Sequence, residues 1–573
     1  MVSVKHIRYK GKKRLPPVYR PTEAYSYMIF KEGDTYYAKN GETREIVFED
    51  DDASEVIQSA INTGRGLILI REGTYEISTP IRIEDKKFVY ITGMGKWRTI
   101  LKYAGADPIF SVIGAGERDH TVAYIRFKDL TFQGLGNAFT GIDAKYMSWL
   151  FLEDIEFSGI FSTALRLTEV WGVKAKDIFF HSCGGVDTHI VEILASTTDK
   201  TTAGTWTGCR WESMYGNAVK IDKSVNQKFI ACGFHLNPAD ENAYRGVDVL
   251  NGSVGIAFDS CFFGAGKDNY IKIDGSHEVR IANCHFDSPY SLTMIYITGG
   301  SKGITITGNV FGGRFAPYPV KGICIHSDDA ENEVEIVGNE AFGDRSSGSR
   351  FVVSKGKAEI VGNRVLYFEY GINVTYFAEI IGNYVEGCGY DGIIAKSLGG
   401  GVILGNFCLN NGQSGCGAGI CLDGGKHYVV VGNICRDNQS TKTQDYGIRE
   451  VNADYNIICG NRVMESVVSG LSISGAHTIY KHNLGHPTEN SGVATISGDG
   501  TTTTFTVDIE HGLVTDRVAC KITLDRDGSI DKVYLVDTNS DGFYETIRVQ
   551  VTYASAPASG EEVPIYWSAE VVE

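Results

Sequence analysis

The chain has 573 residues, with 54 Lys and Arg against 70 Asp and Glu, which gives a formal net charge of -16. Hydrophobic residues make up 43%, too many for a disordered chain, and the acidic balance disfavours nucleic acids and anionic membranes as partners, because both bind basic surfaces. Glycine is abundant, at 68 residues, and proline is scarce, at 12. This combination predicts many strands joined by tight turns.

Residues 1–46 form a basic N-terminal arm and lead-in that contains the run VKHIRYKGKKRLPPVYRP. A solvated tail and an attachment segment to a larger assembly both fit this composition. No apolar run resembles the core of a secretion signal, and none approaches the roughly 18 residues that span a bilayer. We therefore expect no membrane span.

Residues 47–110 begin with a helix signal. The run from Asp52 to Glu55 has the spacing of a capping box, and Val56, Ile57, Ala60 and Ile61 follow on one helical face. The next run, GLILIREGTYEISTPIRI, predicts two or three strands. We expect the helix to cover the open end of the structure that follows.

Residues 111–487 carry an internal repeat in which an alternating apolar run ends in an asparagine, usually after glycine. Its asparagines recur every 20 to 30 residues, at Asn309, Asn339, Asn363, Asn383, Asn406, Asn433, Asn461 and Asn483. Earlier coils fill the same position with Leu130, Ile155, Ile178, Cys209, Cys232, Cys261 and Cys284. Two positions later the early coils carry an aromatic residue: Phe132, Phe157, Phe180, Trp211, Phe234, Phe263, Phe286 and Phe311.

A period of this length with strand-type alternation predicts an all-β parallel β-helix of about fifteen coils, in which equivalent positions stack about 4.8 Å apart. Each stacked asparagine can bond its neighbours through its amide and can adopt the left-handed backbone of a sharp turn. The four cysteines in this slot predict a buried thiol ladder. Disulfides between coils are the alternative, but stacked positions rarely have disulfide geometry.

The asparagine ladder and the aromatic stack between Leu130 and Asn483 resemble the pectate-lyase-like superfamily of right-handed parallel β-helices. The run from Asp51 to about Leu101 resembles the opening segment of pectate-lyase-3-type proteins. The resemblance covers about 60% of the chain and implies a right-handed coil with an N-terminal capping helix. This fold hosts lyases, hydrolases, epimerases and viral tailspikes, so the fold alone does not give the function.

Residues 493–573 read as six short alternating strands, which predicts an accessory β-sandwich. Within them, Asp537, Asn539, Asp541 and Glu545 occupy positions 1, 3, 5 and 9 of a calcium-loop pattern. Position 12, where a bidentate acid is expected, is Arg548. Calcium binding and an ordinary hairpin turn both remain open, and no other cofactor is expected.

The strand after the turn in each coil gives an outward row of charged side chains at the coil period. Its members are Arg166, Glu192, Lys220, Asp248, Lys272 and Tyr296. The next outward row is expected to contain Thr168, Asp222, Asp274, Thr298 and His326. Alternating charges can be a ladder of surface ion pairs, or they can line a polysaccharide groove.

Cleavage by elimination, or C5 epimerisation, of a uronic acid needs a cation near the carboxylate and a base for the C5 proton, roles that Lys220, Lys272 and Tyr296 could fill. His326, in the second row, is a further catalytic candidate. Hydrolysis needs two carboxylates, for which Asp222, Asp248 and Asp274 are candidates. Arg166, Glu192, Arg314 and Tyr318 are candidate substrate-binding residues. Two further motifs contain His181, Asp187 and His189, and His326, Asp328 and Asp329.

We therefore expect a carbohydrate-active protein that acts on an acidic polysaccharide as a lyase or C5-epimerase. The alternatives are a viral tailspike or receptor-binding fibre, which implies a homotrimer, and a structural surface protein, either of them with or without glycan hydrolysis. All of these place the protein outside the cell or on a cell or virion surface.

Overall fold

The structure is a computed structural model. It describes residues 24–571 except 64–65, 106, 117–120, 136–138, 197–202, 236–244, 267, 288–292, 313–318, 397–398, 487–488, 514–517, 539–543 and 545. Nearly all regular structure in these residues is β-strand, as predicted. Their helical content offers no segment with the length and apolarity to cross a bilayer.

A small antiparallel sheet precedes the solenoid. Its strands are Tyr27–Glu32, Thr35–Asn40 and Ile46–Asp50, and the first of them also pairs in parallel with Gly66–Ile70. Sequence patterns predict no strands in this region, because it precedes the repeat. The basic run at the start of the arm lies outside the described residues.

The predicted helix spans Ala53–Asn62 and packs against the first strands of the chain. Asp52 is its N-cap, because the Asp52 carboxylate accepts a hydrogen bond from the Ser54 N–H at 2.8 Å. Its buried face contains Val56, Ile57, Ala60 and Ile61, which join the core of the solenoid. The helix therefore covers apolar residues at the N-terminal end of the solenoid.

The solenoid has three parallel faces, which we call A, B and C in the order that each coil visits them. Two long strands, Ala123–Gly134 and Ser148–Ser158, run through both A and B. The other strands of face A are Gly66–Ile70, Val89–Thr92, Trp171–Lys176, Gly204–Thr207, Gln227–Ile230, Ala257–Asp259, Arg280–Ala282, Ile304–Thr307, Glu333–Val337, Lys357–Val361, Ala378–Ile381, Gly401–Leu404, Tyr428–Val431, Ile457–Cys459 and Ile479–Lys481.

Faces B and C complete each coil. The remaining strands of face B are Gly73–Ile77, Thr99–Tyr103, Phe179–His181, Arg210–Glu212, Gly233–His235, Phe262–Gly264, His285–Asp287, Val310–Phe311, Glu340–Phe342, Arg364–Leu366, Tyr384–Glu386, Phe407–Leu409, Ile434–Arg436 and Arg462–Met464. Face C is a 16-stranded sheet. Its strands are Ile81–Glu84, Phe110–Ile113, Ile142–Lys145, Leu165–Thr168, His189–Leu194, Asn217–Asp222, Val247–Leu250, Ile271–Asp274, Thr293–Thr298, Ile323–Ser327, Arg350–Ser354, Tyr370–Val374, Ile393–Ala395, Ala418–Asp423, Tyr446–Val451 and Ser469–Ser472.

The asparagine ladder lies in the turn between faces A and B. The side-chain carbonyl of Asn383, for example, accepts hydrogen bonds from the backbone N–H and the amide of Asn363, both at 2.9 Å. The left-handed backbone is not at the asparagine, as the sequence suggested, but at the residue before it, where Gly362 and Gly382 both have φ of 63°. Glycine adopts this left-handed conformation without steric strain. The asparagine that follows can then form hydrogen bonds with the asparagines of the neighbouring coils.

The predicted aromatic and cysteine columns are also confirmed. Rings from Phe132 to Phe311 stack on successive coils with centroids 4.6 to 5.2 Å apart. All 13 cysteines are free thiols, and Cys209, Cys232, Cys261 and Cys284 are buried in the ladder slot. The Cys284 N–H donates to the Asn309 side chain at 2.8 Å, so the thiol column continues directly into the asparagine ladder.

The C-terminal residues form two three-stranded antiparallel sheets. One contains Glu489–Ser497, Glu562–Val571 and Val518–Leu524, and the other contains Thr504–Glu510, Thr546–Tyr553 and Gly528–Val536. Buried residues from both sheets, among them Ile496, Ile509, Val549 and Ile565, share one apolar core. The sheets therefore pack face to face, as predicted for a β-sandwich.

Candidate functional site

The predicted row of outward side chains lies in register on face C. Strand pairing places Arg166, Glu192, Lys220, Asp248, Lys272 and Tyr296 opposite one another on six successive coils. The inward residues that flank them, such as Ile221 and Ile273, are fully buried. The alternation of each short strand therefore directs one polar side chain per coil away from the core.

One residue of the second predicted row is in the wrong place. His326 pairs with Tyr296 and so continues the first row, whereas the second row was expected to contain it. Asp222 and Asp274 do lie in the second row, and Asp328, two residues beyond His326, lies at its continuation. The register of this coil could not be predicted from spacing, because the length of the connection before it varies independently of the strands.

Three cations of the two rows already have carboxylate partners. Arg166 Nε lies 2.7 Å from Glu192 Oε2 on the next coil. The two lysines pair along their own strands, with distances of 3.4 Å from Lys220 Nζ to Asp222 Oδ2 and 2.9 Å from Lys272 Nζ to Asp274 Oδ2. Such partly exposed pairs add little stability.

Asp248 is the most deeply buried charged member of the row, with 2% of its surface exposed. Its Oδ2 lies 2.9 Å from His189 Nε2 and 3.4 Å from the Arg245 guanidinium, which also bonds Asp268 at 3.0 Å. Burial raises the pKa of Asp248, but the His189 hydrogen bond and the Arg245 and Lys272 charges outweigh this and hold the pKa below its ordinary value. Its Oδ1 is buried and has no hydrogen-bond partner among the described residues.

A second group of titratable residues surrounds Asp328. The Tyr296 hydroxyl donates to Asp328 Oδ2 at 2.9 Å, His326 Nε2 lies 3.6 Å from Asp328 Oδ1, and Lys355 forms an ion pair with the same carboxylate. The rings of Tyr296 and His326 meet edge to face, with centroids 5.5 Å apart. Four groups of different acidity thus meet on three adjacent coils, and we call them the Asp328 cluster.

The environment separates the acidities in the Asp328 cluster. Burial, followed by the nearby Asp328 carboxylate, raises the pKa of Tyr296 above 10, so its hydroxyl is protonated at neutral pH. Burial lowers the pKa of His326 below 6.5, because it outweighs the attraction of Asp328. The Lys355 hydrogen bond lowers the pKa of Asp328. At neutral pH the cluster therefore offers a neutral imidazole beside a neutral phenol.

The other predicted site residues do not join this arrangement. His181 lies on face B, where its ring stacks on Phe179, so it is separated from His189 on face C. Arg314 and Tyr318 lie outside the described residues. In the calcium-loop pattern, Asp537 follows the strand Gly528–Val536, but Asn539, Asp541 and Glu545 also lie outside the described part, so calcium binding stays a prediction.

Sequence patterns predict no role for Arg245, which contacts Asp248, or for Lys355, which belongs to the Asp328 cluster. Lys355 lies two residues after Val353, the member of the first row that follows His326, so the row period could have found it. Arg245 precedes the strand Val247–Leu250 in a connection, where no repeat pattern applies. Arg245 reaches Asp248 only because of how the connection packs beside the row, and the repeat period does not predict the conformation of a connection.

A family model described as Periplasmic copper-binding protein (NosD) matches residues 259–434, less than half of the chain. This segment lies within the solenoid, and the match agrees with its fold. Copper sites use clustered histidine, cysteine or methionine ligands, but the described residues contain no group of three or more His, Cys, Asp or Glu placed to hold a metal ion. No curated protein has a sequence that matches the chain.

Solved structures of similar fold include three viral proteins. ORF18 of Geobacillus virus E2 is 20% identical over 54% of this chain and 58% of its own, with a TM-score of 0.41. Tailspike protein 3 of bacteriophage CBA120 is 15% identical over 76% of this chain and 59% of its own, with a TM-score of 0.33. The chain thus spans somewhat under two thirds of the length of these two proteins. The Gp54 tailspike of Acinetobacter baumannii bacteriophage AP22, solved with a capsular saccharide, is 8% identical over 91% and 94% of the chains, with a TM-score of 0.34.

Proposed function

We propose that face C binds an acidic polysaccharide and that the Asp328 cluster carries out elimination or C5 epimerisation at a uronic acid residue. The observation that carries this proposal is the contact of His326 with Tyr296, since their environments push their pKa values apart. A base and an acid with separated pKa values are what proton abstraction next to a carboxylate requires. The resemblance to the pectate-lyase-like superfamily supports the same reaction class.

In this proposal neutral His326 removes the C5 proton of the uronate. Lys272, on the coil before Tyr296, and Lys355, on the coil after His326, supply positive charge near the sugar carboxylate as negative charge develops there. In elimination the C4–O4 bond then breaks, a C4–C5 double bond forms, and the Tyr296 hydroxyl donates its proton to the leaving oxygen. In epimerisation a proton returns to C5 from the opposite side.

The test removes the two groups one at a time. Tyr296→Phe deletes the hydroxyl and His326→Gln deletes the base, and each is expected to lower turnover of a uronic-acid polymer by about 100-fold or more. Ultraviolet absorbance reports unsaturated products, and proton NMR reports epimerised residues. Full turnover by either variant, or no turnover of any polymer in an alginate, polygalacturonate and glucuronan panel by the unaltered chain, would exclude the proposal.

Tyr384→Phe is the matched control. Its hydroxyl donates to Glu386 at 2.7 Å, so it is also a tyrosine bonded to a carboxylate, but it lies on face B. We expect this variant to keep full turnover, because its ring is remote from the row on face C. Equal losses in Tyr384→Phe and Tyr296→Phe would mean that the effect comes from lost stability.

Binding without turnover is the second candidate function. It is favoured by the ion pairs of Arg166, Lys220 and Lys272, which are what a purely structural charge ladder would contain. A tailspike or adhesin of this kind would bind the polysaccharide and release no product. Both candidates place the protein at a cell or virion surface or outside the cell.

A further inference from the structure

The first coils carry a groove on face A, away from the row on face C. It has a volume of about 750 Å³. Outward side chains from five adjacent coils line it, and those that matter here are Tyr90, Tyr124, Phe151, Arg126, Lys174 and Lys176. We call it the aromatic groove.

Three aromatic residues occupy one slot at the side of the aromatic groove. Strand register aligns Phe88, Tyr124 and Trp149 on successive coils, with Gly172 in the same slot on the next coil. The rings of Phe88 and Tyr124 stack with centroids 5.0 Å apart, and Trp149 stacks on Phe151 at 6.3 Å. All three residues of the slot are exposed, so none of the rings is needed to fill the core.

The backbone at this slot is left-handed, with φ of 60° at Phe88, 56° at Tyr124 and 62° at Trp149. Bulky residues rarely adopt this conformation, which costs about 1–2 kcal/mol per residue and favours glycine. At Gly172 a Cβ would come within 2.8 Å of the Trp149 ring, so the indole lies directly over the glycine. The same slot is left-handed at Asn226 and Glu278 on later coils, so the turn of each coil holds the side chain of this slot at the surface.

The aromatic groove is positively charged in a protein whose net charge is -16. Arg126 and Lys128 share a single acid, Glu153. Lys174 has no carboxylate within 4 Å among the described residues, and its ammonium lies 5.9 Å from the centre of the Trp149 ring. Lys176 is exposed, and its closest acid is Asp177 at 3.8 Å. A ligand that suits this surface has a negative charge and a face that packs on aromatic rings.

We propose that the aromatic groove is a second polysaccharide-binding site, which holds an acidic glycan with its sugar rings against Tyr124, Trp149 and Phe151 and its acidic group at Lys174. The slot runs along the solenoid axis with a step of about 4.8 Å per coil, so several sugar units of one chain can be bound. A second copy of this basic surface would be repelled, which favours the glycan over self-association. The inference rests on the proposed function only in that the protein meets acidic polysaccharides.

The test measures binding of polygalacturonate and alginate oligomers by isothermal titration calorimetry, with a neutral dextran oligomer as the comparison ligand. All measurements are made in the Tyr296→Phe background, in which turnover is expected to be about 100-fold lower, so that little product forms during the titration. Trp149→Ala and Lys174→Gln are each expected to weaken binding of an acidic oligomer about tenfold, which corresponds to 1.4 kcal/mol. Dextran binding is expected to be weaker and unchanged by Lys174→Gln.

The chain provides a close control far along the same face. Tyr455 lies in the same slot as Trp149, is 47% exposed, has φ of 58° and stacks on His477 at 4.5 Å. Tyr455→Ala removes an equivalent ring that does not line the aromatic groove, and Lys357→Gln removes an exposed lysine of face A. Both controls should bind like the background protein.

Unchanged binding in both Trp149→Ala and Lys174→Gln would overturn the inference, as would the absence of saturable binding to either acidic oligomer. A change in the oligomeric state of these variants, measured by sedimentation, would also overturn it, because the groove would then be a subunit interface. Trp149→Ala could lose binding through misfolding. Lys174→Gln alters only an exposed charge, so a loss of binding in this variant reports on the groove itself. Failure of the proposed function is read separately, from the turnover of Tyr296→Phe.

Discussion

Asn383→Ala is expected to be the most informative single change in the asparagine ladder. The Asn383 side chain is fully buried, and its carbonyl accepts from the Asn363 backbone and amide, both at 2.9 Å. Its own amide donates to the Ile360 carbonyl at 2.8 Å and to Asn406 Oδ1 at 3.0 Å. Alanine removes these bonds without strain, because the left-handed residue of the turn is Gly382 and not Asn383.

The expected loss in the free energy of unfolding follows from the hydrogen bonds that Asn383→Ala removes. The Asn363 N–H is left buried without a partner, which costs about 1–3 kcal/mol, and each of the two lost amide–amide bonds contributes about 0.5–1.5 kcal/mol. The expected loss is therefore about 2–6 kcal/mol. Because each coil contacts only its neighbours, the loss should be concentrated in the coils on either side of Asn383.

Hydrogen–deuterium exchange with mass spectrometry measures this local loss, on peptides that cover residues 358–409. A loss of about 3 kcal/mol raises exchange through local opening by about 100-fold. Urea unfolding gives the accompanying change for the whole chain.

Asn438→Ala is the matched control, since Asn438 is exposed and its side chain makes no hydrogen bond with the described residues. It should change stability by less than about 0.5 kcal/mol. If Asn383→Ala has an equally small effect, or if exchange rises evenly along the solenoid, the ladder does not stabilise the coils in the way described.

Three further predictions concern titration, thiols and turns. Turnover should fall as the pH drops through the His326 pKa, below 6.5, because the base becomes protonated, and it should fall again only above pH 10 as Tyr296 ionises; a rate that rises on acidification would contradict this. A thiol reagent should label Cys416 first in the native chain, and the ten buried cysteines only after unfolding, so rapid labelling of four or more native thiols would refute the buried column. Gly362→Ala should lower the free energy of unfolding by about 1–2 kcal/mol, and its φ of 63° is the only cause, since the new Cβ would meet nothing within 4 Å. Ala231→Gly, at φ of 52°, should lower the free energy of unfolding by less. Urea midpoints in the reverse order would contradict this prediction.

Periodicity made most of the solenoid predictable. The aromatic column from Phe132 to Phe311 and the row from Arg166 to Tyr296 were located because a buried ladder fixes the register of each coil. The same reasoning failed at His326, where a connection of variable length separates two in-register strands. Strands in the repeat are therefore predictable from spacing, but the residue count between them is not.

Features that depend on the connections or on local backbone were missed. The strands from Tyr27 to Asp50 precede the repeat, so no period marked them. Arg245 reaches Asp248 from a connection. The exposed ring of Trp149 alternates correctly with its buried neighbours, but only the structure shows that it lies beside Tyr124 and Lys174.

The ladder also determines how the length of the solenoid can change. Each asparagine amide bonds only to the coils directly before and after it, so no contact measures the total number of coils. The coil between Asn363 and Asn383 has 20 residues, and loss of one such unit would leave equivalent neighbours to rejoin. Gain or loss of one whole coil would thus shift the end of the solenoid by about 4.8 Å and leave the row on face C intact. The length of the protein can therefore change without a change in that row.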